Sequence, residues 1–177
     1  MRSLLLILPI LLGFIACTPT LKPALTEPDE RGYIVQVGDK VPNIEMDLID
    51  GTTTSLKELR GKVVVLQFTA SWCGVCRKEM PHIEKDIWLP HKDKDLVIIG
   101  VDRDEPLEKV QEFAKQVGVT YPLALDPGAE IFAKFASKKS GVTRNIVIDR
   151  KGKIAFLTRL FDPVEFEAMK KKIEELL

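Results

Sequence analysis

Residues 63–76 read VVVLQFTASWCGVC, a stretch with two halves of different character. The first half, residues 63–68, is a nearly continuous apolar run, which is typical of a strand buried on both faces of a sheet. The second half ends in Cys73 and Cys76, which open the next helix after a short turn. Two cysteines at this spacing lie within one helical turn and can close a disulfide with little rearrangement. The stretch therefore predicts a buried strand that leads directly into a helix-capping cysteine pair.

The two cysteines are expected to differ chemically. Cys73 lies at the helix N-terminus, where unpaired N–H groups and the helix dipole favour an anion. This position lowers the pKa of a thiol from ~8.5 towards roughly 3.5–7.5, so an attacking thiolate exists at neutral pH. Cys76, one turn further along, is expected to be less exposed and to keep a higher pKa. The pair thus has one candidate nucleophile and one candidate resolving thiol.

Further elements follow on the C-terminal side of this stretch. Residues 73–88 predict a helix interrupted at Pro81, and the apolar run 96–101 predicts a second buried strand. Residues 107–117 repeat apolar side chains at helical spacing, and a glycine follows them. Residues 126–135 begin with Asp-Pro, which predicts the cap and first-turn proline of another short helix.

Two hairpins and a last helix complete the pattern. Residues 44–51 alternate apolar and polar side chains and end in an Asp-Gly turn, and residues 146–157 place two apolar segments around Lys-Gly. Asp162, Pro163 and Glu165 supply the cap, first-turn proline and capping-box acid of the final helix. A strand–helix–strand unit implies parallel pairing, and the closing hairpin adds antiparallel strands. The sequence predicts an α/β domain over residues 33–177, with a central mixed sheet, helices on both faces and an extra N-terminal hairpin.

The composition supports a globular domain. The chain has 177 residues, of which 45% are hydrophobic and 29% charged, and 26 basic residues balance 26 acidic ones. These proportions argue against disorder and coiled coil, and the length suits one domain with a real core. Because no basic excess is available to neutralise phosphates, binding to nucleic acid is not expected.

The first 17 residues have the features of a secretion signal. A short positive start precedes residues 4–15, which carry no charge. This run is shorter than the ~20 residues of a membrane span and matches the roughly 7–15 of a signal peptide. Residues 14–17, Phe-Ile-Ala-Cys, resemble the lipobox of bacterial lipoproteins, which implies lipid attachment at Cys17 and a place in the bacterial cell envelope, facing the periplasm or the outside. The alternative is an uncleaved anchor or a misread start. Residues 18–32 are polar and contain three prolines, and we interpret them as a flexible tether.

The motif around the cysteine pair points to a family. Trp-Cys-x-x-Cys after an apolar strand resembles thioredoxin, and the surrounding sequence resembles the extracytoplasmic TlpA/ResA group of thiol–disulfide oxidoreductases. The matching segments are GDKVP at 38–42, Asp-Gly at 50–51, residues 56–61 and CRKEMP at 76–81. The likeness runs from about residue 37 to the C-terminus and implies a thioredoxin fold.

The same resemblance implies a mechanism. It assigns Cys73 as nucleophile, Cys76 as resolving thiol and Glu79 as an acid close to Cys76, with a solvated helix charge as the alternative for Glu79. Gln67 stands where cytoplasmic thioredoxins keep a buried Asp, so Glu79 or water must accept the proton of Cys76. The expected partners are protein disulfide or thiol substrates and a membrane electron donor, with no cofactor and no metal. The dipeptide between the cysteines lacks histidine, which favours a reductant.

The resemblance also places a substrate groove at Trp72, Thr143 and Arg144. Thr143 occupies the position of the cis-proline of thioredoxins. A cis bond before a non-proline residue costs about 2.5–4 kcal/mol, against ~0.5–1 before proline. We therefore expect a trans bond and a reshaped groove. Arg144 is expected at the surface, with a contact to the Cys73 thiolate as the alternative.

Three other functions compete with this assignment. A peroxiredoxin shares the fold, but its signature proline and threonine would fall at Leu66 and Ala70. A zinc site could combine the cysteine pair with His82 and His91, but the histidine spacing misses the usual ~3–5 residues. A non-catalytic lipoprotein could carry the pair as a structural disulfide, which would be hard to reduce.

Overall fold

A computed structural model describes residues 28–177, so the predicted signal peptide, Cys17 and most of the predicted tether lie outside the described residues. The structure has seven strands, four α-helices, one π-helical turn and two short 3-10 segments in this range. They follow in the order β1 (Glu45–Asp47), β2 (Thr53–Ser55), β3 (Val63–Thr69), α1 (Gly74–Ile83), the π-helical turn (Glu84–Trp88), α2 (Leu89–His91), β4 (Leu96–Arg103), α3 (Leu107–Val117), β5 (Leu123–Asp126), 3-10 segments (Pro127–Ala129 and Phe132–Lys134), β6 (Arg144–Ile148), β7 (Ile154–Arg159) and α4 (Pro163–Leu176).

The sheet is mixed, as the sequence predicts. Its five strands lie in the order β5-β4-β3-β6-β7, with β3, β4 and β5 parallel and with β6 and β7 antiparallel to their neighbours. Strands β1 and β2 form a separate antiparallel hairpin, which confirms the predicted N-terminal addition. Strand β5 was not predicted. It has only four residues, too few for a period to stand out from the flanking turn residues.

Strand β3 lies at the centre of the sheet and all seven of its side chains are buried. Successive side chains point to opposite faces. Gln67 faces α1, whereas the Phe68 ring packs edge-on against Phe132, with 5.3 Å between ring centroids. Helix α4 lies near α1, since the His82 ring is 5.0 Å from that of Phe161 just before α4. Helical segments therefore cover both faces, with the 3-10 segment of Phe132 on the face opposite α1.

Helix α1 runs through Pro81 rather than breaking there. The change in hydrogen bonding comes at Glu84, where the π-helical turn begins. This turn directs the Glu84 carboxylate towards Thr120, whose backbone N–H and hydroxyl donate to it at 2.9 and 2.6 Å. The π turn thus attaches the end of α1 to the segment that precedes β5.

Two local predictions differ from the structure in detail. The single helix expected after Asp126 is instead two 3-10 segments, and the Asp126 carboxylate accepts from the N–H groups of Ile131 and Phe132 at 2.7 and 2.9 Å. Asp162 caps α4 as predicted, because it accepts from the Glu165 N–H at 2.9 Å. The Glu165 carboxylate does not complete a capping box, since it accepts from the Arg159 N–H at 2.9 Å.

Residues just before position 33 also pack on the domain. Gly32 has a φ of +85°, and a Cβ at this position would lie 2.7 Å from the Cβ of Ser140. Arg31 donates to the Glu165 carboxylate at 3.3 Å, and the buried Tyr33 pairs with Ala136. Residues 29–32, which the sequence assigns to the tether, thus contact the domain. Within residues 28–177 no helix is both long and apolar enough to cross a membrane.

Candidate active site

Cys73 and Cys76 form a disulfide at the N-terminal end of α1. Cys73 is the N-cap residue, and its Sγ accepts a hydrogen bond from the Cys76 N–H at 3.2 Å. Cys73 retains 8% of its surface, whereas Cys76 is completely buried. An incoming sulfur can therefore reach Cys73 and not Cys76, which is the order of exposure that the sequence predicts.

The loop before the cysteines is held by hydrogen bonds on both sides. The Glu105 carboxylate accepts from the Ser71 N–H at 2.5 Å and from its hydroxyl at 2.6 Å. The Arg77 Nε donates to the Ser71 carbonyl at 2.8 Å. Trp72, the next residue, is 64% exposed and lies beside the disulfide. A fixed loop thus presents a large apolar side chain at the place predicted for the substrate groove.

Thr143 contacts both sulfur atoms. Its Oγ1 lies 3.1 Å from the Sγ of Cys73 and 3.2 Å from that of Cys76. Because disulfide sulfurs carry no hydrogen, the hydroxyl must be the donor. Every peptide bond in residues 28–177 is trans, in agreement with the prediction for this position. The Thr143 carbonyl is already occupied, since it accepts from the Leu160 N–H at 3.0 Å and from Arg159 at 3.2 Å.

Arg144 is buried, so the prediction of a surface arginine is wrong. Its guanidinium lies over the ring of Tyr33, 4.5 Å from the centroid, and its Nε donates to the Gly141 carbonyl at 3.2 Å. Within residues 28–177 its two terminal nitrogens have no hydrogen-bond partner. Alternation along β6 places this side chain on the face opposite Asn145, where the segment around Tyr33 covers it. That segment is more than a hundred residues distant in sequence, so the contact leaves no local signal.

Glu79 is also buried, which contradicts the alternative of a solvated helix charge. One carboxylate oxygen accepts from the Asn145 side-chain amide at 2.7 Å, and the other accepts from the Gln67 amide at 3.2 Å. Burial raises the pKa of Glu79 to about 7, and the nearby Glu165 acts in the same direction, whereas the two amide donors oppose the rise. A carboxyl with this pKa exchanges protons readily at neutral pH.

Sequence reasoning missed the polar side chains that surround Glu79. The Tyr121 hydroxyl donates to Gln67 Oε1 at 2.6 Å, and the Asn145 amide also donates to the Thr158 hydroxyl oxygen at 2.9 Å. Together with Gln67 and Glu79 these residues form a buried polar chain across one face of the sheet. One signal was present in the sequence: Gln67 interrupts the apolar run of β3, where a buried polar side chain must find a partner.

A second buried acid lies near the loop that precedes the cysteines. Asp102 is fully buried on β4, and neither of its carboxylate oxygens has a hydrogen-bond partner within residues 28–177. Burial raises its pKa to about 8, and the carboxylates of Glu105 and Asp126 add to the effect. The raised pKa favours the neutral, protonated form of Asp102 at neutral pH.

The two histidines lie apart in the structure. His82 is exposed, and its Nδ1 lies 3.4 Å from the Asp86 carboxylate. His91 is buried, and its Nδ1 donates a hydrogen bond to the Ile87 carbonyl at 2.8 Å. Within the described residues there is no group of three or more His, Cys, Asp or Glu side chains that could hold a metal ion.

The fold and the site together define a class of enzyme. A mixed sheet whose central strand leads into a helix capped by a Cys-x-x-Cys disulfide is the arrangement of a thioredoxin-fold thiol–disulfide oxidoreductase. Residues 36–177 match the family model described as Redoxin, and the chain belongs to the redoxin family.

Individual relatives agree with this assignment. The thiol-disulfide oxidoreductase ResA of Bacillus cereus is 33% identical over 120 residues, which cover 68% of each chain. The solution structure of a candidate protein disulfide isomerase from Bacteroides thetaiotaomicron is 62% identical, with a TM-score of 0.80, and the match covers 82% of this chain and 92% of that one. The crystal structure of a candidate thiol:disulfide interchange protein DsbE from Chlorobium tepidum is 28% identical, with a TM-score of 0.68 and coverage of 80% and 97%. The chain is thus similar to ResA over 68% of its length, and the Redoxin family model matches it over residues 36–177.

Proposed function

We propose that this enzyme reduces protein disulfides outside the cytoplasm while anchored to a membrane. The observation that carries the proposal is the arrangement of the cysteine pair: only Cys73 is accessible, and Cys76 lies one turn from the buried Glu79. In this proposal Cys73 is the nucleophile, Cys76 the resolving thiol and Glu79 the proton acceptor. Trp72 and Thr143 line the substrate groove beside Cys73.

The reaction begins with the reduced dithiol. The Cys73 thiolate attacks one sulfur of a substrate disulfide, forms a mixed disulfide and releases the other substrate sulfur as a thiolate. Cys76 then transfers its proton to the Glu79 carboxylate and attacks the Cys73 sulfur. This step releases the second substrate thiolate and closes the Cys73–Cys76 disulfide. Two electrons pass to the substrate, and the proton on Glu79 returns to the released thiolate or to solvent.

Two groups stabilise the thiolate of Cys73 during this cycle. The Cys76 N–H already donates to the Cys73 sulfur, and the Thr143 hydroxyl is within reach of both sulfurs. Hydrogen bonds to a charged acceptor contribute about 1.5–3 kcal/mol each. They favour the ionised nucleophile before the attack and the leaving thiolate when the disulfide opens.

The direction of electron flow is part of the proposal. A reductase outside the cytoplasm needs a supply of electrons, since disulfides form readily there. We propose a membrane-bound dithiol protein as the donor. The absence of histidine between the cysteines supports a reducing role.

The anchoring is proposed from the sequence. Residues 1–17 would form the signal peptide and Cys17 would carry the lipid. Residues 18–28 of the predicted tether would hold the domain away from the bilayer, because residues 29–32 contact the domain. Expression of the full chain with and without Cys17→Ser tests this assignment. We expect the unchanged protein in the membrane fraction and the variant in the aqueous fraction. Retention of both in the membrane would contradict lipid attachment at Cys17.

The reduction potential of the cysteine pair tests the catalytic proposal. It is measured in the full chain by equilibration with glutathione, and Cys73→Ser serves as the control that cannot cycle. A potential near about −270 mV, the thioredoxin region, supports a reductase, whereas one near about −120 mV would make the protein a disulfide donor. A potential below about −300 mV with loss of structure on reduction would identify a structural disulfide instead.

A further inference from the structure

The side-chain amide of Gln67 lies between Tyr121 and Glu79. Its Oε1 accepts from the Tyr121 hydroxyl at 2.6 Å, and its Nε2 donates to the Glu79 carboxylate at 3.2 Å. All three side chains are buried, with Gln67 completely enclosed and Tyr121 only 2% exposed. Tyr121 lies just before β5, and within residues 28–177 its hydrogen-bond connection to Glu79 passes through this amide.

The orientation of the Gln67 amide has chemical consequences. An amide has a donor end and an acceptor end, and an ionised carboxylate can only accept. If the amide turned over, its oxygen would face the Glu79 carboxylate and its NH₂ group would face Tyr121. The Tyr121 hydroxyl hydrogen would then lose its acceptor, and a buried donor without a partner is costly. The hydroxyl therefore favours the orientation in which Gln67 donates to Glu79.

We propose that Tyr121 is a positioning residue for Glu79: its hydroxyl fixes the Gln67 amide so that the N–H end always faces the carboxylate. The proposal rests on the function proposed above for Glu79. It does not require Tyr121 to touch the substrate or either cysteine.

The effect on Glu79 follows from the balance of groups around it. Gln67 on β3 and Asn145 on β6 both donate to the carboxylate and favour its ionised form, whereas burial and the carboxylate of Glu165 on α4 favour the neutral form. When the Tyr121 hydroxyl is removed, the Gln67 amide can turn over and accept from a protonated Glu79. The neutral form gains a hydrogen bond that the fixed amide denies it, so the pKa of Glu79 should rise.

Tyr121→Phe in the full chain tests this inference directly. The pKa of the Glu79 carboxyl is followed by carbon-13 NMR in the oxidised protein in detergent micelles, where the cysteines do not titrate. We expect an upward shift of about half to one pH unit, the size of one hydrogen bond between uncharged groups, because it is the neutral carboxyl that gains the bond. Tyr33→Phe is the matched control, because it removes another buried hydroxyl, which donates to the Thr158 carbonyl and not to Gln67. An unchanged pKa in Tyr121→Phe, or an equal shift in Tyr33→Phe, would overturn the proposal.

A double variant shows whether Tyr121 acts through Gln67. Gln67→Met removes the amide that connects the two residues. In the Gln67→Met background, Tyr121→Phe should no longer shift the pKa of Glu79. A shift of the same size in both backgrounds would mean that Tyr121 acts on Glu79 by another route, and the inference would be wrong.

The pH profile of disulfide exchange separates this inference from the proposed function. If Glu79 accepts the proton of Cys76, the rate of the second exchange step should follow the Glu79 pKa and move upward with it in Tyr121→Phe. If Glu79→Gln leaves that profile unchanged while Tyr121→Phe still shifts the NMR pKa, the proposed role of Glu79 fails and the positioning role stands. If Glu79→Gln abolishes the profile and Tyr121→Phe changes neither measurement, only the inference fails.

Discussion

The buried carboxyl of Glu79 should make the stability of the protein depend on pH. Burial raises its pKa from 4.5 to about 7 in the folded state. The folded protein therefore holds this proton more tightly than the unfolded chain does. Below about pH 4.5 both states are protonated, so the stability does not vary with pH through this group. The free energy of unfolding then falls as the pH rises towards about 7 and levels off above it. Glu79→Gln removes this dependence.

The magnitude follows from the size of the pKa change. A shift from 4.5 to about 7 corresponds to a limiting loss of about 3 kcal/mol, at about 1.4 kcal/mol per unit. Integrated from about pH 5 to about pH 8, the stability of the unchanged protein should fall relative to Glu79→Gln by about 2–3 kcal/mol. The glutamine also loses one favourable contact with Gln67 or Asn145, because both donate to the present carboxylate. That cost does not vary with pH, so the pH slope isolates the titration.

The assay is urea unfolding of the oxidised protein at several pH values, with tryptophan fluorescence as the signal. The disulfide keeps both cysteines from titrating. Glu174→Gln, which changes an exposed carboxylate on α4, is the matched control and should run parallel to the unchanged protein. If the difference between the unchanged protein and Glu79→Gln stays constant within about 0.5 kcal/mol from about pH 5 to pH 8, the reasoning about burial is refuted.

Three further variants probe other parts of the structure. The free energy of unfolding should fall less between about pH 4 and pH 8 in Asp102→Asn than in the unchanged protein, by about 2 kcal/mol or more, because the pKa of Asp102 is raised to about 8. Urea unfolding at several pH values measures this, and the same dependence on pH in both proteins would contradict it. Thr143→Ala should raise the pKa of the Cys73 thiol by about one unit, since the hydroxyl 3.1 Å from its sulfur is lost, and thiolate absorbance in the reduced protein measures it. Gly32→Ala should lower the free energy of unfolding by about 2 kcal/mol, because φ is +85° and the new Cβ would lie 2.7 Å from the Cβ of Ser140. Thermal unfolding measures this, and an unchanged stability would show that this turn does not pack on the domain.

Most of the framework was accessible from the sequence because its signals are local. The apolar run of β3, the glycine that ends α3 and the Asp-Pro start of α4 each act within a few residues. The site could be predicted where a motif brought its residues together, as in Cys73 and Cys76. Strand β5 was missed because four residues between a turn and a 3-10 segment show no period.

The remaining features depend on contacts between distant segments. Arg144 was expected at the surface, but the rings of Tyr33 and Phe132 lie 4.5 and 5.7 Å from its guanidinium and cover it, and both come from segments distant from β6 along the chain or outside the strand. Tyr121 carries no motif, and its connection to Glu79 passes through Gln67, 54 residues away in sequence. Such networks depend on which strands are neighbours in the sheet, so a local pattern cannot reveal them.

The donor of the hydrogen bond to the Cys73 sulfur is the backbone N–H of Cys76. Gly74 has no side chain and that of Val75 takes no part in the bond, so substitutions in this dipeptide leave the donor in place. The hydrogen bond that would stabilise the proposed Cys73 nucleophile is therefore insensitive to these two residues. Descendants of this enzyme could exchange the two intervening residues, and so adjust the reduction potential to a new partner, while inheriting the same hydrogen bond to the Cys73 sulfur.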